Sequence, residues 1–266
     1  MKKLITLMLT VLLALGVVIG ATGCTKKVED LSYIQERGKI VIGITDYEPM
    51  DYKEAGNDEW IGFDADLAKM FAQELGVTCE FVELVDWDLK GVELQNKNID
   101  LIWNGMTAKD ELLEQMDFSV SYAKNAQVAV VKENSTITTK DQIKTAKVAV
   151  EKGSAGEDVT EAEGFTNVVA PGNQKQALLE VVAGESQVAI VDITMAQSLA
   201  GKGEFANLKI VDGVSYGDEI FAVGVRKNSD LKAELDAFLK AKYADGTMTQ
   251  LAEKYVVGLN TDALSK

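Results

Sequence analysis

No histidine occurs in this chain, and cysteine, proline and arginine occur twice each. Without imidazole, Ser-His and Cys-His nucleophilic pairs are excluded, and so are ordinary zinc sites, which are built from thiolate and imidazole. Two cysteines make no disulfide framework. Cys79 stands in the apolar, strand-like run Val77–Val82 and reads as a buried structural thiol. With so few prolines and no Ser/Gly/Pro-rich stretch, any two lobes must be joined by ordered strands rather than by a linker. No cluster of Lys and Arg is present, and 27 basic residues stand against 42 acidic ones, a net charge of −15. That balance argues against nucleic acid and against an anionic membrane surface, both of which need clustered positive charge.

The first residues are processing signals. Lys2 and Lys3 precede an apolar run from Leu4 to Ile19, followed by Ala21-Thr22-Gly23-Cys24. A short basic segment, one apolar segment and small residues before a cysteine read as a secretory leader ending in a lipoprotein box. Residues 1–23 are therefore expected to be removed, Cys24 to carry the lipid, and residues 24–32 to form a tether. The chain is expected outside the cytoplasm, anchored to the cell membrane by that cysteine. Spanning a bilayer takes ~20 apolar residues, and this run has about sixteen. Removing 1–23 takes two lysines and no acids, leaving −17 on 243 residues.

Short β runs alternate with amphipathic helices, the pattern of an α/β fold with largely parallel sheets. Lys39–Ile44 reads as the first strand. A helix is expected from Asp64 as N-cap, with Leu67, Met70, Phe71 and Leu75 on one face and Gly76 as its stop. Strands are expected at Cys79–Leu84 and Asp100–Trp103, with a helix over Leu89–Lys97. In the second half, Gln127–Val131, Ala146–Val150, Asn167–Val169 and Val188–Val191 read as strands, and Ala155–Ala162 and Gln174–Ala183 as helices. Leu208–Val211 and Ile220–Val225 read as two separate final strands, before two helices that place Leu231, Leu235, Phe238 and Leu239, then Met248, Leu251, Ala252 and Tyr255, on apolar faces.

Several segments resemble motifs of one family. Gly62-Phe63-Asp64-Ala65-Asp66-Leu67-Ala68 is similar to G-F-D-x-D-L-A, and Asn98-Ile99-Asp100-Leu101-Ile102 to G-x-x-D-x-I. Gly105-Met106-Thr107 through Glu111-Leu112 to Phe118-Ser119 resembles G-M-T-x-T-x-E-R-x-x-x-x-x-F-S. Asp117–Tyr122 resembles D-F-S-x-P-Y, Lys152-Gly153-Ser154 resembles K-G-[ST], and Asp245-Gly246-Thr247 through Lys254-Tyr255 resembles D-G-T…K-[WY]. In this order the chain resembles the family-3 extracellular solute-binding proteins, which serve ABC importers of polar amino acids. The resemblance implies a periplasmic-binding-protein type II fold, two α/β lobes joined by two hinge strands. Lobe 1 would be residues 33–124 and 217–266 and lobe 2 residues 125–216, with hinges near Lys124–Gln127 and Tyr216–Glu219.

Ligands of open α/β sheets bind where strands end, and that rule selects the loops after Ile44, Trp103, Val150 and Val191. The resemblance places ligand contacts in the same loops. Asp46 and Tyr47 follow the first strand, and Tyr47 would pack on the ligand. Trp87 would be the second aromatic wall, able to grip an aliphatic chain or an ammonium. Asn104, Gly105 and Thr107 would offer backbone groups and one hydroxyl. Ser154 and the N–H of Ala155 would close from lobe 2 on the same anion, and Asp192 would pair with the ligand's ammonium. Trp103 reads as core and Trp60 as unrelated to the site.

One element of the family pattern is missing. Where it has an arginine that clamps the ligand's α-carboxylate, this chain has Leu112. Arg37 precedes the first strand and Arg226 follows the last, away from the strand ends that bear these loops, and Lys109 or Lys124 could substitute. Three alternatives stay open: a ligand without a free carboxylate, a lysine in place of the arginine, or a helix N-terminus with hydroxyls. An amine-bearing ligand is slightly preferred, because Asp46, Asp88 and Asp192 are acidic and no cation is evident beside them. The expected function is a lipid-anchored, monomeric binding component of an ABC importer for an amino acid or related amine, meeting a membrane permease and needing no cofactor or metal. The alternatives are a sensory partner of a receptor and, more remotely, a dehydratase-like enzyme on the same fold.

Overall fold

The computed structural model describes residues 27–266. The leader 1–23, the expected lipidation site Cys24 and the first part of the tether lie outside the described residues. Among the described residues no helix is long and apolar enough to cross a membrane.

Two five-stranded sheets divide the molecule into two α/β lobes. The first contains β1 (Lys39–Ile44), β2 (Thr78–Glu83), β3 (Leu101–Ile102), β4 (Met116–Phe118) and β10 (Gly224–Arg226), in the order β2-β1-β3-β10-β4. The second contains β5 (Ala123–Lys132), β6 (Val148–Ala149), β7 (Val168–Val169), β8 (Val188–Asp192) and β9 (Leu208–Phe221), in the order β7-β6-β8-β5-β9. In each sheet the central pairs are parallel, β1 with β2 and β3, and β6 with β7 and β8, while β10 and β5 run antiparallel to their neighbours. Parallel central strands are covered on both faces, which is why β1 and β8 are almost continuous apolar runs.

Helices α1 (Asp30–Arg37), α2 (Phe63–Glu74), α3 (Lys90–Gln95), α8 (Leu231–Ala244), α9 (Thr247–Tyr255) and α10 (Thr261–Leu264) accompany the first sheet; α4 (Lys140–Thr145), α5 (Ala155–Ala162), α6 (Gln174–Ala183) and α7 (Ile193–Leu199) accompany the second. Leu67, Phe71, Trp103 and Phe238 form the aromatic and aliphatic centre of lobe 1, with Phe71 and Phe238 rings 5.1 Å apart. Trp103 is thus core, and Trp60 packs at the rim under Lys53, away from the cleft. A separate cluster of Val131, Val148, Val150, Val188 and Ile190 fills lobe 2.

Three expectations change. Helix α2 begins at Phe63, and Asp64 lies inside its first turn rather than capping it. Gly62 takes the cap position with φ near 132°, where a Cβ would stand 2.1 Å from the Met50 carbonyl oxygen. The expected strand Leu208–Val211 extends as β9 unbroken to Phe221 along β5 with two register irregularities, pairing Asn125 with Glu219 and Ala126 with Asp218, and the rest of the expected strand Ile220–Val225 falls in the separate β10 of the first sheet. Cys79 is half-buried on β2, and burial pushes its thiol up to about 12, which makes it a poor nucleophile.

Candidate functional site

The loops that leave β1, β3, β6 and β8 converge on a cleft between the lobes, and the lobes are closed on each other. Lys175 of lobe 2 pairs with Asp46 of lobe 1 at 3.0 Å, Lys152 with Asp86 at 2.9 Å, and the Ser198 hydroxyl donates to Glu48 at 3.0 Å. Lys109 pairs with Asp158 across the same gap. The backbone also comes close at Gly153, where a Cβ would sit 2.7 Å from the Asp88 Cα.

Between these clasps lies a small cavity, with about 20 Å³ of free space in this closed arrangement. Tyr47, Trp87, Asn104, Gly105, Thr107, Ser154, Ala155 and Asp192 all line it. Asp46 does not; it stands at the rim in its ion pair with Lys175.

Several of these residues spend their polar groups on building the walls. The Asn104 amide donates to the Thr45 hydroxyl at 2.8 Å, and its oxygen accepts from the Thr45 N–H at 3.0 Å. The Gly105 N–H donates to Asp64 at 2.6 Å, as does the Tyr122 hydroxyl at 2.7 Å. This is the work of Asp64: it braces the β3 loop from behind, and burial pushes its carboxyl up to about 7 despite those bonds. The Thr107 hydroxyl donates to Glu219 at 3.0 Å. Ser154 is the N-cap of α5, its oxygen accepting from the Glu157 N–H at 3.2 Å. Gly105 has φ near +55°, and a Cβ there would lie 2.7 Å from the Tyr47 ring, so glycine lets that ring lie flat on the loop.

Asp192 is the most elaborately held group. One of its oxygens accepts from the amides of Asn125 and Gln127, and the other from Gln174. The Gln174 oxygen in turn accepts from the Asp192 N–H at 2.8 Å. A carboxylate has about four acceptor positions, so the second oxygen keeps one open. Burial, reinforced by the nearby Glu219 charge, pushes this carboxyl up to about 6. The Tyr47 hydroxyl beside it is buried and has no hydrogen-bond partner.

Three ionisable side chains in the cavity come as findings of the structure. Lys90 opens α3, one turn after Trp87, and is only 4 % exposed. Its ammonium donates to the carbonyls of Trp87 at 3.2 Å and Gly153 at 3.1 Å, and lies 4.9 Å from the Trp87 ring centre. With three donors on an ammonium, one remains. Burial, with the Lys109 charge adding, pulls its pKa down to about 8. Lys109, one of the two lysines offered in place of the arginine, lines the cavity but carries its own counter-ion, Asp158. Glu151, the first residue of the loop after Val150, is buried with one oxygen unpartnered. Lys124 lies on β5, 3.9 Å from Asp262, and does not line the cavity.

The expectation that no cation stands beside the site's acids is therefore corrected: Asp46 and Asp88 face lysines across the cleft, and Lys90 lies inside. Leu112 sits in the short 3-10 turn Asp110–Glu114 at the cavity wall, packed with Trp87, Met106 and Met116. Both arginines are committed beneath the first sheet. Arg226 binds Asp30, Asp100 and the carbonyls of Leu94 and Ile99, and Arg37 pairs with Asp100.

A family model described as "Bacterial extracellular solute-binding proteins, family 3" matches residues 40–258. Among curated relatives, the ABC transporter glutamine-binding protein GlnH of Bacillus subtilis is 28% identical over 272 residues, covering 96% of this chain and 98% of its own. Among solved structures, a mutant of ArgBP from T. maritima aligns with a TM-score of 0.79 at 30% identity, over 85% of this chain and 98% of its own. The ancestral amino acid-binding protein AncCDT-1, a precursor of cyclohexadienyl dehydratase, aligns with a TM-score of 0.78 at 30% identity, over 85% and 99%.

Proposed function

The chain belongs to the bacterial extracellular solute-binding proteins of family 3, and from that premise we propose that it is the binding component of an ABC importer, closing around one small amino-acid-type solute. Its fold is of the periplasmic-binding-protein type II class. The lobes are taken as residues 33–124 with 217–266, and 125–216; the hinge is the paired stretch in which Asn125 faces Glu219 and Ala126 faces Asp218. Rotation about two short, adjacent backbone segments is the usual way such lobes open and close.

The observation that carries this proposal is the pair of opposite charges that the two lobes bring into one cavity. Asp192 comes from lobe 2 with one acceptor position open, and Lys90 comes from lobe 1 with one donor left. An α-amino acid supplies what each lacks, its ammonium to Asp192 and its carboxylate to Lys90. Tyr47 and Trp87 line the apolar wall along which the rest of the solute lies. A point-charge lysine grips a carboxylate less specifically than a bidentate arginine, yet a carboxylate buried there without it would be stranded at a cost of ~3–5 kcal/mol. The preference for an amine without carboxylate, drawn from the absence of a visible cation, gives way to this arrangement. Lipid attachment at Cys24 and docking of both lobes on a membrane permease complete the proposed setting. The relatives matched are solute-binding proteins by name, and the neighbour described as a dehydratase precursor is itself described as amino acid-binding.

A thermal-shift screen of the purified protein tests this, pairing each common amino acid with the amine left by its decarboxylation. A solute at ~100 times its Kd adds ~2.7 kcal/mol. Amino acids are expected to raise Tm and their amines not to. Equal shifts from both would show that no carboxylate is read, and silence from both would remove the solute class altogether.

A further inference from the structure

Once Asp192 and Lys90 are assigned, one buried charge in the cavity is left over. Glu151 is 4 % exposed, lines the cavity, and has an oxygen, Oε1, that is buried without a hydrogen-bond partner. This differs from Asp192, where each oxygen already accepts from an amide. Burial pushes the Glu151 carboxyl up to about 8, with the Asp192 charge adding to the rise and Lys90 and Gln174 opposing it. Lys90 does not pair with it directly, because its ammonium is turned to the Trp87 and Gly153 carbonyls.

An unpaired buried carboxylate is costly, and an apolar side chain could line the same wall without that cost. Such a group persists where a partner arrives with the function. The charges of the cavity say what that partner carries. Lys109 is offset by Asp158, which leaves one cation, Lys90, against two carboxylates, Asp192 and Glu151, among the lining residues. A neutral zwitterion satisfies Lys90 and Asp192 and leaves Glu151 unpaired. A solute with a second nitrogen cation satisfies all three.

Resting on the amino-acid reading above, we propose that Glu151 is a specificity-determining residue that accepts a hydrogen bond from a second, side-chain nitrogen of the solute. The site then selects diamino or guanidino acids and rejects neutral isosteres, because a neutral side chain strands a buried acceptor.

Isothermal titration with two matched pairs tests this: L-arginine against L-citrulline, and L-ornithine against L-norvaline. The native protein is expected to bind the cationic member of each pair at least about 100-fold more tightly. In Glu151→Gln that ratio is expected to fall at least tenfold, while Tm of the ligand-free protein rises because an unpaired buried acid has been removed. Repeating the arginine titration at pH 7 in buffers of different ionisation enthalpy gives a second readout. Binding should release close to one proton from the native protein and markedly less from Glu151→Gln. Glu151→Asp, which keeps the charge but withdraws it, is expected to weaken arginine binding and retain the preference over citrulline. Equal affinity within both pairs, or an unchanged ratio in a folded Glu151→Gln, would overturn the role of Glu151 and leave the amino-acid reading standing. Binding of none of the four overturns the diamino selectivity, and if the screen of common amino acids is also silent, the amino-acid reading falls with it.

Discussion

Replacing Lys90 by methionine should convert a carboxylate-reading site into one that cannot tell an amino acid from its amine. Methionine keeps most of the stem volume beside Trp87 and removes the charge. Removing one partner of a buried ion pair costs ~3–5 kcal/mol, which at ~1.4 kcal/mol per decade is roughly a 100- to 3,000-fold loss. L-arginine should lose that much affinity, whereas agmatine, which has no carboxylate, should change by less than about threefold. Four dissociation constants, native and Lys90→Met with each ligand, form a double-mutant cycle whose coupling term isolates the contact. The pH profile adds a sign. Lys90 holds a carboxylate only while protonated, and its pKa is pulled down to about 8. Native affinity for arginine should therefore fall above pH 8, once Glu151 has already ionised, by up to about tenfold per unit, with no matching fall in Lys90→Met. The ligand-free variant should stay folded, since a well-packed apolar substitute for a buried charge is often neutral or stabilising. Equal losses for arginine and agmatine would refute the reasoning and reduce Lys90 to a strut between Trp87 and Gly153.

Gly153→Ala should separate closure from folding: its Cβ would meet the Asp88 backbone at 2.7 Å across the lobes, at a φ of +71° that already strains alanine. Small-angle scattering should show native protein compacting with arginine and the variant compacting less; full compaction would place the lobe contact elsewhere. Burial raises the carboxyls of Asp64, Glu151 and Asp192 to about 7, 8 and 6, so the folded state keeps protons that the unfolded chain releases. Stability of the ligand-free protein should then fall as pH rises from about 4.5 to 8, with Tm at least about 5 °C lower at pH 8 than at pH 5.5; a flat profile would contradict those shifts. Arg226→Met should cost ~3–5 kcal/mol in denaturant unfolding, by removing the buried cation shared by Asp30 and Asp100, while arginine affinity of the folded variant stays within about twofold. A comparable loss of affinity would tie that network to the site.

The fold was legible where one physical signal acted alone. Ala155–Ala162 and Gln174–Ala183 fall where their apolar spacing and polar caps put them, with Ser154 and Asn173 as N-caps. The signal failed where tertiary pairing overrode local polarity. Residues 212–219 lie between the two expected strands Leu208–Val211 and Ile220–Val225, yet they continue β9 along β5. Asp64 read as a cap because it precedes an apolar run; its carboxylate instead turns back to the Gly105 N–H and the Tyr122 hydroxyl, partners far away in sequence. The strand-end rule selects loops whose residues line one cavity, and Glu151, the first residue after Val150, lies within reach of that rule. Lys90 gave less notice, because a lysine opening a short helix ordinarily faces solvent. Only the approach of Gly153 from the other lobe buries it, and no local pattern encodes an approach of that kind.

Leu112 and Lys90 are best understood together. Leucine at 112 joins Trp87, Met106 and Met116 in an apolar wall, and Lys109, three residues before it in the sequence, is taken by Asp158. Lys90 stands on the far end of the Trp87 turn, with its charge supported by two carbonyls and the indole face. Moving the cation from one wall to another also moves the place where a carboxylate can sit, and with it the orientation of the whole solute. A reciprocal exchange, Leu112→Arg with Lys90→Met, therefore should not restore native binding. Arginine at 112 would put its charge into the cluster around Met106, and the solute would be drawn away from Glu151. If the double variant did recover native affinity and native preference for arginine over citrulline, the cavity would be indifferent to where its cation stands, and the geometric role given to Glu151 would be lost.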